Sequence, residues 1–134
     1  AAVWLWDVEA KFSQVKGVKK VTSGVTGGHV KNPSYEEVCT GTTGHAEACN
    51  IIYDPSVISY AELLAAFFTA HDPTQLNRQG NDVGTQYRSA IWYTNPAQQK
   101  VAQAYISQLS KAGIFHNPIV TQINPLKAFY NAAN

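Results

Sequence analysis

The spacing of hydrophobic residues predicts an alternation of helices and strands along the chain. Helices are predicted where apolar side chains recur every three or four positions, and strands where short β-branched and aromatic runs stand between turn residues. The predicted helices cover residues 5–16, 60–70 and 96–112, with a short helical turn at 35–38. The predicted strands cover residues 18–25, 45–53, 87–93 and 119–123, and residues 126–134 are predicted to be a tail.

Local signals mark the ends of two of these helices. Ser59 is predicted to cap the helix at 60–70, and Asn95 the helix at 96–112, which ends before Gly113. Residues 71–86 show no periodicity, and so long an irregular stretch is usually functional or mobile. Together the elements predict an α/β domain of the α+β two-layer kind, in which helices cover one sheet.

Composition narrows the class of protein. The 134 residues are 45% hydrophobic and 14% charged, and they predict a single globular domain. No apolar run is long enough to span a membrane, and a net charge of +1 argues against nucleic acid as a partner. Residues 83–134 contain four cations and no carboxylate, and these cations are predicted to be separate solvated charges: Arg88, Lys100, Lys111 and Lys127.

The two cysteines, Cys39 and Cys49, match neither a zinc motif nor a C-x-x-C redox pair. Two cysteines are also too few for a secreted disulfide framework, which favours a reducing compartment such as the cytoplasm. Cys49 shares a strand face with His45 and Glu47, but no further ligands accompany this row, so no metal site is predicted. Cys49 is predicted to pack in the core.

Glu47 is a candidate catalytic acid because it interrupts an apolar strand. Burial would raise its pKa and keep the carboxyl group protonated, which would make it a proton donor. The structural alternative is a Glu47 on the solvent face of the strand, or one paired with Arg88 or Arg78.

Two long segments carry a resemblance to a known family. Residues 35–47 read YEEVCTGTTGHAE, and residues 71–89 read HDPTQLNRQGNDVGTQYRS. They closely resemble peptide methionine sulfoxide reductase A, and the similarity runs from about residue 4 to about residue 93, then more loosely to residues 129–130. The chain is therefore identified as a member of that family.

The resemblance implies a fold, an activity and a set of partners. The fold is a two-layer domain with a ferredoxin-like core, whose mixed sheet is covered by helices. The activity is thiol-dependent reduction of methionine-S-sulfoxide in oxidised proteins and as the free amino acid, without a cofactor. Thioredoxin is the usual reductant in this family, and the monomer is its usual state.

The resemblance also assigns roles within the site. Glu47 occupies the position of the acid, Tyr35 and Tyr87 those of the phenols that hold the sulfoxide oxygen, and Asp82 that of a carboxylate in the same network. Trp6 occupies the position of the tryptophan that receives the S-methyl group. The family's nucleophile is a cysteine at the start of the first helix, where the helix N-terminus lowers the pKa of a thiol.

The chain departs from the family at that cysteine. Residues 6–12 read WDVEAKF and match a W-x-x-E-A-x-F segment, which places Trp4 at the position of the nucleophile. Three explanations compete: a sequence that is incomplete or wrong at its ends, an engineered or natural thiol-less variant that binds sulfoxides, or Cys39 as a relocated nucleophile. We prefer the first, with the expectation that the single domain of residues 1–134 lacks the family's first strand and C-terminal tail.

Overall fold

A computed structural model describes the backbone of residues 3–131 and the side chains in that range, except those of residues 3–7 and Tyr35. The helices are α1 (Val3–Ser13), α2 (Tyr35–Cys39), α3 (Tyr60–Ala70) and α4 (Pro96–Ala112). The strands are β1 (Val18–Thr26), β2 (Ala46–Tyr53), β3 (Arg78–Gln79), β4 (Asp82–Val83), β5 (Ala90–Tyr93), β6 (Gln122–Pro125) and β7 (Phe129–Asn131). Thr85–Tyr87 form a 3₁₀ turn.

The described strands pair in three groups. β1 lies between β2 and β7 in an antiparallel sheet, so that Val25 has Glu47 on one side and Tyr130 on the other. β5 and β6 pair in parallel, and β3 and β4 form a short antiparallel hairpin. The pairing therefore contains both parallel and antiparallel ladders.

Helix α3 joins two hydrophobic clusters. Leu63 packs with Val8 and Phe12 of α1, while its neighbour Leu64 packs with Ile91 of β5 and the fully buried Ala102 of α4. Adjacent residues on a helix project about 100° apart, so one helix can face both clusters. The helix layer thereby holds the two larger strand groups in one body.

The structure confirms the predicted α/β class and three predicted helix caps or ends. Ser59 Oγ accepts a hydrogen bond from the Glu62 N–H, and the Glu62 carboxylate accepts one from the Ser59 N–H. Asn95 caps α4, and Gly113 ends it in a left-handed conformation with φ of 66°. In the part of the chain that the structure describes, no helix is long and apolar enough to cross a membrane.

Several predicted boundaries are wrong, and so is the prediction that all strands form one sheet. α1 ends at Ser13 because Gln14 and Val15 donate to carbonyls three residues back, which tightens the chain toward Gly17. β5 begins only at Ala90, since the 3₁₀ turn occupies residues 85–87, and β6 lies at residues 122–125 instead of 119–123. The predicted tail contains β7, and the described strands form three separate groups instead of the one predicted sheet.

Candidate active site

Glu47 lies near the start of β2 and is buried. Only 3% of its surface is exposed, and neither carboxyl oxygen has a hydrogen-bond partner among the described residues. The alternative ion pairs are not formed, because Arg88 donates to the carbonyls of Gly44 and Thr85, and Arg78 donates to that of Gly80. Of the alternatives left open by the sequence, the buried carboxyl group is the one observed, and the solvent-facing and arginine-paired alternatives are wrong.

The electrostatic environment favours the neutral form of Glu47. Burial, assisted by the nearby charge of Asp82, raises the pKa of Glu47 to about 7. A carboxylic acid with such a pKa is partly protonated at neutral pH, and it can donate both a hydrogen bond and a proton.

The segment between residues 71 and 89 brings Asp82 and Tyr87 to Glu47. Asp82 opens β4 in the β3–β4 hairpin, and Gly84, with φ of 149°, turns the chain into the 3₁₀ turn that ends at Tyr87. Burial raises the pKa of the Tyr87 phenol, and the charges of Glu47 and Asp82 raise it further. Tyr87 therefore stays protonated and available as a hydrogen-bond donor at neutral pH.

Glu47 lines a cavity of about 180 Å³ between the two larger strand groups. Consecutive residues of two segments line this central cavity: Glu47 to Ile51 in β2, and Arg88 to Trp92, which run into β5. Because successive side chains of a strand point to opposite faces, consecutive lining residues mean that the strand edges face the cavity. The Cα atoms of β2 and β5 lie mostly more than 8 Å apart, so these edges do not pair.

Three of the predicted site residues have side chains outside the described part of the structure: Tyr35, Trp4 and Trp6. Their backbone positions are described. Tyr35 is the first residue of α2, where Ser34 and Glu37 form a reciprocal cap, and Trp4 lies in the first turn of α1. The roles predicted for these side chains remain predictions.

The remaining residues of the β2 row have structural partners. His45 is 3% exposed; its Nδ1 accepts a hydrogen bond from the Gly28 N–H, and its Nε2 donates to the Val30 carbonyl. Burial raises the pKa of the Cys49 thiol to about 11, so this thiol is a poor source of thiolate. Unlike Cys49, which is partly buried, Cys39 is exposed. No cluster of metal-ligating side chains is found within residues 3–131 as described.

Two features near the site were missed at the level of sequence. Ser89, which lines the central cavity, is hydrogen bonded to His71 and Thr121. Arg88 and Trp92 line both the central cavity and a second groove. Neither feature leaves a periodic signal, because its members come from distant segments.

Comparison with known proteins places the chain in a family of oxidoreductases. The model of the family "Peptide methionine sulfoxide reductase" matches residues 1–134. A peptide methionine sulfoxide reductase MsrA from Natronomonas pharaonis is 54% identical over 127 residues, which are 95% of this chain and 71% of the relative. The chain belongs to the peptide methionine sulfoxide reductase family, whose members are enzymes that reduce methionine sulfoxide with thiols.

Solved structures support the fold. Methionine sulfoxide reductase A of Corynebacterium diphtheriae superimposes with a TM-score of 0.81 at 39% identity, over 94% of this chain and 64% of that one. Reduced Mxr1 from Saccharomyces cerevisiae superimposes with a TM-score of 0.85 at 33% identity, over 96% of this chain and 73% of that one. Mxr1 has also been solved in complex with Trx2. That structure shares the fold with a TM-score of 0.68 at 24% identity, over 96% of this chain and 73% of that one.

Proposed function

We propose that Glu47, Tyr87 and Tyr35 hold the oxygen of a methionine-S-sulfoxide, and that Glu47 supplies a proton to it. The observation that carries this proposal is the Glu47 carboxyl group, which is buried, has no hydrogen-bond partner among the described residues, and has a pKa of about 7. A buried polar group without a partner is costly, and a sulfoxide oxygen would accept the hydrogen bond that the neutral acid offers. Asp82 supports this state because its charge raises the pKa of Glu47.

The chemistry of sulfoxide reduction explains the need for such an acid. A thiolate attacks the sulfoxide sulfur, and the S–O bond breaks as the oxygen gains protons. Overall, one sulfoxide and two thiols give one thioether, one disulfide and one water, so the sulfoxide sulfur gains two electrons and the two thiol sulfurs lose them. Without proton donation the leaving oxygen would carry unfavourable negative charge.

We propose that the position of the nucleophile is that of Trp4, in the first turn of α1, with Trp6 next to the S-methyl group. A cysteine there would be activated by the helix N-terminus, whereas an indole is not a nucleophile of this kind. The rival source of thiolate is Cys39, which is exposed and lies near enough to Tyr87 to influence the pKa of its phenol. A thiol-less module that binds sulfoxides without turnover is the non-enzymatic alternative.

Assays with dithiothreitol on the S and R epimers of a methionine sulfoxide peptide test these alternatives. We expect the protein as written to be inactive and Trp4→Cys to gain activity toward the S epimer, while Trp4→Ser stays inactive. A folded Trp4→Cys variant without activity would refute the assigned site. Activity of the unaltered chain that disappears in Cys39→Ser would identify Cys39 as the nucleophile.

The pH dependence of the Trp4→Cys enzyme tests the role of Glu47. Because the acid must be protonated, we expect the rate to fall as the pH rises through about 7. Glu47→Gln should lower the rate by roughly 10²-fold to 10⁴-fold, the usual contribution of a general acid. Glu36→Gln, which removes an exposed carboxylate of α2, is the control, and an equal loss in both variants would contradict the proposal.

We further propose a monomer that uses thioredoxin or a similar thiol reductant in the cytoplasm. The complex of Mxr1 with Trx2 supports the choice of reductant. The absence of a secreted type of disulfide framework in this sequence supports a reducing compartment.

A further inference from the structure

A groove beside the candidate active site is lined by three cations. It has a volume of about 560 Å³, and its charged side chains are Lys31, Arg88 and Lys127, with no aspartate or glutamate in its lining. We call it the basic groove. Lys31 and Lys127 are exposed, and Arg88 is partly buried.

The fold brings together cations that the sequence keeps far apart. β7 returns to pair with β1, and Phe129 lies opposite Thr26, so Lys127 comes next to the loop that contains Lys31. Arg88 reaches the same place because its guanidinium donates to the Gly44 carbonyl at 2.9 Å. Lys127 is solvated as predicted, but it lines one groove together with Arg88, which is partly buried, so the prediction of separate solvated charges is wrong for Arg88.

Arg88 has no carboxylate counter-ion among the described residues. Its guanidinium donates to two backbone carbonyls, Gly44 and Thr85, and its central carbon lies 5.9 Å from the centre of the Trp92 ring. Burial lowers the pKa of Arg88, and no neighbouring carboxylate offsets this effect. A partly desolvated cation without a counter-ion provides a favourable place for an anion, which can bind the free guanidinium donors.

The wall of the groove is held in place by buried contacts. His45 links the Gly28 N–H and the Val30 carbonyl at 3.1 and 2.7 Å, and the His29 N–H donates to the Thr43 carbonyl at 2.9 Å. A preformed wall lowers the entropic cost of binding a ligand. The backbone on this side of the groove is thus held by hydrogen bonds, while the Lys31 and Lys127 side chains are exposed.

The basic groove adjoins the candidate active site. Arg88 follows Tyr87 in the chain, and both Arg88 and Trp92 line the central cavity that contains Glu47. A polypeptide with its sulfoxide at Glu47 would therefore have neighbouring residues at the groove.

We propose that the basic groove binds the carboxylate of an aspartate or glutamate close in sequence to the methionine sulfoxide of an oxidised polypeptide. This inference rests on the proposed function, and it adds a preference for acidic sequence context. Charge complementarity of this kind favours binding and specificity, and it weakens with salt.

Binding of fluorescent peptides to the protein as written tests the inference. The peptides contain methionine sulfoxide or methionine, flanked by glutamates or by glutamines, and their anisotropy is measured at low and high salt. We expect the glutamate sulfoxide peptide to bind about fivefold more tightly than its glutamine counterpart, a difference at the upper end of the contribution of one exposed ion pair. This preference should shrink at high salt.

A matched pair of charge reversals locates the effect. Lys31→Glu with Lys127→Glu should abolish the preference for glutamate, whereas Lys100→Glu with Lys111→Glu, two exposed lysines of α4, should retain it with the same change in net charge. Equal loss in both double variants, no preference in the unaltered protein, or no binding of the glutamate peptide would overturn the inference.

The same peptides separate this inference from the proposed function. A preference for sulfoxide over methionine without a preference for glutamate would leave the proposed function standing and reject the groove. A preference for glutamate that depends on the groove but is the same for methionine and its sulfoxide would support the groove and reject the proposed function.

Discussion

At the scale of single residues, the environment of Glu47 determines the chemistry of the site. The same carboxyl group on an exposed strand face would be ionised at neutral pH, and it would accept hydrogen bonds but donate none. Burial in β2 and the nearby charge of Asp82 leave the carboxyl group partly protonated at neutral pH, so that it can also donate a hydrogen bond. Ionisation of this buried acid therefore lowers the free energy of unfolding.

That cost predicts a pH-dependent stability. The pKa of Glu47 is about 7 in the folded state against an ordinary value of 4.5, so its favourable contribution is complete below pH 4.5 and is lost as the pH rises through about 7. Glu47→Gln cannot ionise, and it should therefore gain stability relative to the unaltered protein between pH 5 and pH 8, by at most about 3 kcal/mol. Urea unfolding at several pH values measures this difference, and a difference that is constant with pH would contradict the assignment.

The sequence was sufficient to single out Glu47, and family resemblance added Asp82 and Tyr87, but neither revealed the basic groove. A glutamate within an apolar strand is conspicuous, because a carboxylate is costly to bury without a partner. The convergence of Arg88, Lys31 and Lys127 depends on how β7 and the loop after β1 fold back, and no local pattern encodes that return. For Tyr35, Trp4 and Trp6, the assigned roles rest on family resemblance alone.

At the scale of elements, helix boundaries marked by a side-chain cap were predicted well. The caps at Ser59 and Asn95 involve side chains within a few residues of the groups they bind, so the sequence contains the whole signal. Strands β6 and β7 were displaced or missed because they are short and are defined by their partners, β5 and β1. Strand pairing of this kind depends on tertiary contacts more than on intrinsic preference.

Two glycines with positive φ allow a controlled test of how tightly the elements pack. Gly113 has φ of 66° at the end of α4, and a Cβ added there meets no atom within 4 Å. Gly27 has φ of 85° after β1, and an added Cβ would lie 2.1 Å from the Trp92 ring. Both positions carry the backbone strain of a left-handed alanine, but only Gly27 also carries a clash.

Gly113→Ala should therefore lower the free energy of unfolding by about 1 kcal/mol, and Gly27→Ala should lower it by a further 1–3 kcal/mol, roughly the cost of overpacking. Chemical denaturation of the two variants under identical conditions measures both values. Equal losses would show that Trp92 moves aside freely, and that the junction between β1 and β5 is looser than the structure indicates.

At the scale of the whole molecule, one polar network ties the helix layer to the strands. The His71 Nδ1–H donates to the Phe67 carbonyl, so Nε2 is free to accept a hydrogen bond from the Ser89 hydroxyl at 2.7 Å. Ser89 in turn accepts one from Thr121 at 2.7 Å. Burial lowers the pKa of His71, which keeps the imidazole neutral near pH 7 and preserves this direction of donation. The network links the end of α3 to the segments that lead into β5 and β6.

Removing the central hydroxyl should loosen that link. Ser89→Ala leaves the partly buried His71 nitrogen without this donor and Thr121 without this acceptor, and we expect a loss of about 1–3 kcal/mol in the free energy of unfolding. Thr69→Ala is the control. It deletes an exposed hydroxyl that donates to the Ala66 carbonyl within α3. Its cost should stay below about 0.5 kcal/mol, as for most surface substitutions. Urea unfolding followed by tryptophan fluorescence measures both variants, and an equally small loss for Ser89→Ala would mean that packing around α3, and not this network, holds the helix layer to the strands.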